Sequence, residues 1–143
     1  MVQYVVSGYF INGLQPGHKV MLQSIKNMMR PGDSIFIIIN NEKQQALKYK
    51  TARRNPAYIF EDMVVFCDRL FGEENWNTMV SIDKDRTVAK TLSYIRQAYD
   101  NIVFVNDGDV GSCPEKDLVK DIKFLYLGNP KISSSGEEKN DWK

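Results

Sequence analysis

The chain has 143 residues and a formal net charge of +1, with 43% of residues hydrophobic and 26% charged. That length suits one domain with a substantial core, and the near-neutral balance argues against a general nucleic-acid-binding surface. No apolar run approaches membrane-spanning length and the N-terminus lacks a signal-peptide pattern, so a cytoplasmic protein with no membrane partner is expected.

The two cysteines, Cys67 and Cys113, lie far apart and form no CxxC pair. With a single histidine in the chain they make no zinc site, so no protein-held metal is expected, and both read as reduced thiols.

The first informative stretch is Tyr4–Met29, YVVSGYFINGLQPGHKVMLQSIKNMM. Val5 and Val6 begin it as a buried β-branched strand, and a turn rich in Gly and Asn follows from Ser7 to Gly13. Pro16 and Gly17 then open an amphipathic helix in which Leu22, Ile25 and Met29 share a face. His18, the only histidine, falls at the start of that helix. The first N–H groups of a helix are unpaired, so a strand, a Gly-bearing turn and a helix N-terminus together form a site for an anion.

Pro31-Gly32-Asp33 stops the helix, and Ser34–Asn40, SIFIIIN, reads as a strand covered on both faces. Asn40-Asn41-Glu42 ends it and caps a short helix through Leu47. A basic segment, Lys48, Lys50, Arg53 and Arg54, closed by Pro56, reads as a loop. Ile59, Met63, Phe66 and Leu70 fall at helical spacing within Ala57–Phe71, which Gly72 stops. Asn77–Ile82 is a predicted strand leading into Asp83-Lys84-Asp85-Arg86-Thr87, with Arg86 opening the next helix. Val88, Leu92, Ile95 and Tyr99 carry that helix. Asn101–Val105 is a further strand, ending in Asn106-Asp107-Gly108-Asp109. A helix over Pro114–Asp121 and a last strand over Lys123–Leu127 precede a tail with Ser133-Ser134-Ser135.

This alternation predicts a Rossmann-like three-layer α/β sandwich: a parallel five-stranded sheet with helices on both faces. The domain is expected over residues 1–136, with a polar tail over 137–143. Ligands in such sheets bind beyond the carboxyl ends of the strands. That rule gathers the turn before His18, Asn40–Lys50, Asp83–Thr87 and Asn106–Asp109 at one rim. Each group also has a plainer role available: Arg86 paired with Asp83 or Asp85, Asp107 and Asp109 as turn formers, the serines as a polar tail.

Those segments, in that order, resemble the cytidylyltransferase-like nucleotidyltransferases over nearly the whole chain. Gly8-Tyr9-Phe10 and Gln15-Pro16-Gly17-His18 resemble the family's Gly-aromatic-Phe turn and HxGH motif. Ser81–Thr87 and Asn106-Asp107-Gly108-Asp109 resemble the branch of the glycerol-phosphate cytidylyltransferases and heptose-phosphate adenylyltransferases. Lys131–Ser135 resembles the family's C-terminal Ile-Ser-Thr-Thr motif.

The resemblance implies transfer of CMP or AMP from CTP or ATP to a phosphorylated polyol or sugar, with Mg²⁺ accompanying the triphosphate and a homodimer as the usual assembly. It implies catalytic roles for His18, Lys48 and Arg86. It places the nucleotide on Gly8, Tyr9, Phe10, Gln15, Gly17, His18, Asp107, Asp109, Ser133, Ser134 and Ser135. Gln15 stands where the family has the first histidine of HxGH, the Gly8–His18 loop is one residue longer than usual, and the helix Glu-Arg pair lacks its arginine. A catalytically degenerate nucleotide-binding or assembly protein is therefore the alternative expectation. A flavodoxin- or receiver-like domain is a third.

Overall fold

A computed structural model describes residues 1–49 and 53–129. Lys50, the serine run Ser133–Ser135 and the expected boundary between 136 and 137 lie outside the described residues. In chain order the elements are β1 (Gln3–Gly8), α1 (Pro16–Met28), β2 (Ser34–Ile39), α2 (Glu42–Lys48), α3 (Pro56–Phe71), β3 (Trp76–Val80), α4 (Ala89–Arg96), β4 (Ile102–Asn106) and β5 (Lys123–Tyr126).

The five strands form one all-parallel sheet in the order β3-β2-β1-β4-β5, so the expected α/β architecture is the observed one. Strand alternation divides the core between two faces. Tyr4, Val6, Ile35, Ile37 and Ile39 pack with Leu22 and Ile25 of α1 and with Ile59, Met63 and Cys67 of α3. Val5, Ile38, Ile102 and Phe104 pack on the other face with Leu92 and Ile95 of α4 and with Val119. The continuous apolar run of β2 therefore serves both faces, which is why it shows no polar alternation. No helix among the described residues is long and apolar enough to cross a membrane.

Three local expectations are corrected. Pro114 opens only a 3-10 turn, Pro114–Asp117, in place of the helix expected to Asp121. Glu115 turns inward there, with its carboxylate accepting the Val88 N–H at 2.9 Å, and Asp121 takes a positive φ of 66° that no α-helix continues. Lys48 is the last residue of α2 and not part of a loop, because the Asn41–Gln44 capping box starts that helix cleanly and Gln45 carries it on. Arg86 does not open α4. The Asp83 carboxylate accepts the Lys90 and Thr91 N–H groups at 2.8 and 3.0 Å, which fixes the helix start at Ala89 and leaves Arg86 in the loop before it.

Candidate functional site

A cavity of about 690 Å³ opens at the carboxyl ends of β1, β2 and β4, where the chain leaves β1 toward β2 on one side and leaves β4 toward β5 on the other. This is the position at which doubly wound sheets bind ligands. Its lining includes Gly8, Tyr9, Gly17, His18, Asn40, Lys48, Arg86 and the turn Asn106–Asp109. Segments separated by up to a hundred residues thus converge on one opening, as their place in the chain implied.

The β1–α1 turn builds one wall. Phe10 adopts a positive φ of 52°, unusual for a residue with a side chain, and its ring is fully buried. The ring lies under Gly8, where a Cβ would come within 2.7 Å of it, so only glycine fits there. It also meets His18 edge-on with centroids 4.8 Å apart. Phe10 therefore supports the site from below and does not line the cavity.

At the start of α1 the Gln15 backbone N–H donates to His18 Nδ1 at 3.0 Å. That bond, assigned from the hydrogen-bond network, places the ring proton on Nε2. Burial holds the His18 pKa down to about 4 from the ordinary 6.5; the Gly13 carbonyl opposes this and the Lys48 charge adds to it. At neutral pH the ring is an uncharged donor beside the N–H groups of the first helical turn, which also favour an anion. The Gln15 side-chain amide is turned elsewhere and donates to the Asn12 carbonyl at 3.0 Å. Gln15 does not line the cavity.

Positive charge enters from two other elements. Lys48 Nζ stands 4.5 Å from the Tyr9 ring centroid and 5.2 Å from that of Tyr49, whose rings meet edge to face. Arg86 reaches the cavity from the β3–α4 loop. Tyr9 Oη is buried beside the Arg86 guanidinium. Burial pushes its phenol pKa up, against the pull of the Arg86 guanidinium.

The opposite wall is the turn after β4. Asn106 Oδ1 accepts the Gly108 N–H and the Ser112 hydroxyl, both at 2.9 Å. Asn129 clasps the turn from beyond β5: its backbone N–H donates to the Asp107 carbonyl at 2.8 Å and its amide to the Asp107 carboxylate at 2.9 Å. Asp109 accepts the Gly111 N–H at 3.1 Å and caps a 3-10 turn, Val110–Ser112. Turn formation accounts for that contact, while both aspartates still border the cavity. Asn40, from a segment expected at this rim, also lines it, as do Ser112 and Asn129, which carry no signal in the sequence; single polar residues acquire this position only through the sheet order.

Among the described residues no group of three or more His, Cys, Asp and Glu side chains is placed to hold a metal ion. No family model matches the chain, and no curated protein matches it either.

Proposed function

We propose that the chain is a nucleotidyltransferase, transferring CMP or AMP from CTP or ATP to a phosphorylated polyol or sugar. The observation that carries this reading is the convergence of Gly8-Tyr9, Gly17-His18, Lys48, Arg86 and Asn106–Asp109 on one cavity at the carboxyl ends of the strands. In such a transfer the acceptor's phosphate oxygen attacks the α-phosphorus, the bond to the bridging oxygen breaks, and pyrophosphate leaves. The protein's part is positioning and charge stabilisation, which this cavity's donors are suited to supply. His18 Nε2–H and the α1 N-terminus take phosphate oxygens. Lys48 and Arg86 supply the positive charge that a neutral His18 lacks. Asp107 and the neighbouring turn face the nucleoside. Mg²⁺ would accompany the triphosphate as part of the substrate and would offset phosphate charge, with no carboxylate cluster of the described residues needed to hold it.

A second reading, nucleotide binding without turnover, is favoured by one feature: the Gln15 amide is spent on Asn12 and adds no donor to the cavity. Calorimetric titration with Mg·CTP and Mg·ATP, on the wild type and on His18→Ala, tests the site. Micromolar binding of one nucleotide, weakened about tenfold or more by the substitution, is the expected result, since a hydrogen bond to a charged group is worth about 1.5–3 kcal/mol. Absence of binding by folded protein overturns both readings. Pyrophosphate release with a panel of sugar and polyol phosphates separates the first reading from the second.

A further inference from the structure

We infer that Gln44 is a positioning residue that fixes Arg86 toward the cavity, an inference that rests on the nucleotide-site reading above. Gln44 is fully buried on α2, away from the cavity lining. Its amide Nε2 donates to the Asp85 carbonyl at 2.7 Å and to the Thr87 carbonyl at 2.8 Å. Those two carbonyls flank Arg86 on either side, so one side chain holds both backbone groups between which Arg86 is suspended.

The amide cannot be reversed. Its Oε1 accepts the Asn40 side-chain amide at 3.0 Å and the Asn41 backbone N–H at 3.1 Å. All four hydrogen-bonding positions of the Gln44 amide are therefore used, two as donor and two as acceptor. The neighbouring Asn41 extends the clamp upstream, donating to the Ser81 and Asp83 carbonyls, both at 2.9 Å. On the far side Val88 N–H is held by Glu115 at 2.9 Å. The Ser81–Val88 segment has no regular structure, yet four of its carbonyls are tied to α2 and its end is tied to the β4–β5 connection.

The arrangement has a functional consequence. A long arginine on an unrestrained loop loses rotamer and backbone freedom when it grips an anion, and that loss weakens binding. A loop whose carbonyls are already bound has surrendered the backbone share of that freedom on folding. Gln44 touches no ligand in this arrangement; it acts through Arg86.

A double-mutant cycle on the full chain tests this, using Mg·CTP and Mg·ATP as probes. Gln44→Met removes the donors at similar side-chain volume without burying a charge. It is expected to weaken the better-binding nucleotide about tenfold in the wild-type background and less than twofold in the Arg86→Ala background, because the residue through which it acts is then gone. Equal weakening in both backgrounds, or none in either, overturns the inference. Gln44→Leu, which likewise removes the donors without burying a charge, carries the same cycle if Gln44→Met fails to fold. Hydrogen exchange of the Thr87 and Val88 amides gives a readout independent of ligand. Faster exchange in the Gln44 variant is expected, and unchanged exchange overturns the clamp whatever the nucleotide does. Wild-type protein that binds neither nucleotide while its Gln44 variant exchanges faster overturns the nucleotide site and with it the ligand-binding role of the clamp, and so identifies the functional reading as the part that failed.

Discussion

His18 Nδ1 accepts the Gln15 backbone N–H at 3.0 Å, and this one contact sets the tautomer of the ring. Burial disfavours the charged ring, the nearby Lys48 charge adds to this, and the Gly13 carbonyl opposes it. The pKa falls from 6.5 to about 4. A depressed histidine pKa means that the unfolded chain binds the proton first, so the stabilising contribution of His18 is complete above pH 6.5 and is lost as pH falls toward 4. The melting-temperature difference between wild type and His18→Gln is expected to shrink across that window. A difference that holds constant from pH 7 to 4 contradicts the assignment. A ring that stays neutral down to about pH 4 gives nucleotide affinity no histidine-dependent change between pH 7 and 5.5, so wild type and His18→Gln are expected to show parallel pH profiles there.

Gly8 and Phe10 form the second test. A Cβ at position 8 would lie 2.7 Å from two ring atoms of Phe10, and that ring cannot retreat because it is fully buried. Gly8→Ala is expected to cost about 1–3 kcal/mol by chemical denaturation, in the range of overpacked cores. The displaced ring also supports His18, so nucleotide binding is expected to fall along with stability. Phe10→Leu, which relieves the clash, is expected to recover part of the stability in the Gly8→Ala background and none of the binding.

Much of this architecture was legible from periodicity. The SIFIIIN run and the helical spacing of Ile59, Met63, Phe66 and Leu70 report burial directly, and burial determines the layers. The rim was legible for the same reason, since the order of strands and helices alone decides which loops share an end of the sheet. What escaped was polar and non-local. Asn41 reads as an ordinary cap residue and Gln44 carries no signal, because nothing in a sequence says that a loop about forty residues later will supply carbonyls to them. Asn129 reads as a loop residue until β5 brings it beside Asp107. Asp83 next to Arg86 suggests a charge pair, but a helix N-terminus offers a carboxylate several fixed donors, and a long mobile side chain competes poorly with them.

The cysteines give a clean chemical test of the core. Cys67 is fully buried, and burial, with Asp68 adding to it, pushes its thiol up to about 12. Burial raises the Cys113 pKa as well, and its Sγ lies 3.7 Å from Glu115 Oε1. Both are free thiols. Since only the thiolate reacts, neither is expected to react with a disulfide reagent in folded protein at pH 8. Both are expected to react once the protein is unfolded in denaturant. Rapid reaction of one thiol in native protein contradicts the packing described around it.

Asp83 and Arg86 are three residues apart and do different work, and their substitutions are expected to separate stability from binding. The buried Asp83 carboxylate accepts Lys90 N–H at 2.8 Å, Thr91 N–H at 3.0 Å and the Thr91 hydroxyl at 2.6 Å. Asp83→Ala leaves those donors without partners inside the fold, at a cost of about 2–4 kcal/mol in denaturant unfolding. Arg86 makes no ion pair with a described residue, and Arg86→Ala is expected to change stability by less than about 0.5 kcal/mol. Its effect falls on the cavity, where the loss of a guanidinium is expected to weaken triphosphate binding about tenfold or more. An Arg86→Ala protein that is strongly destabilised would return the residue to a structural role. One that folds normally and binds nucleotide as the wild type does would leave Lys48 as the cation on which the proposed site depends.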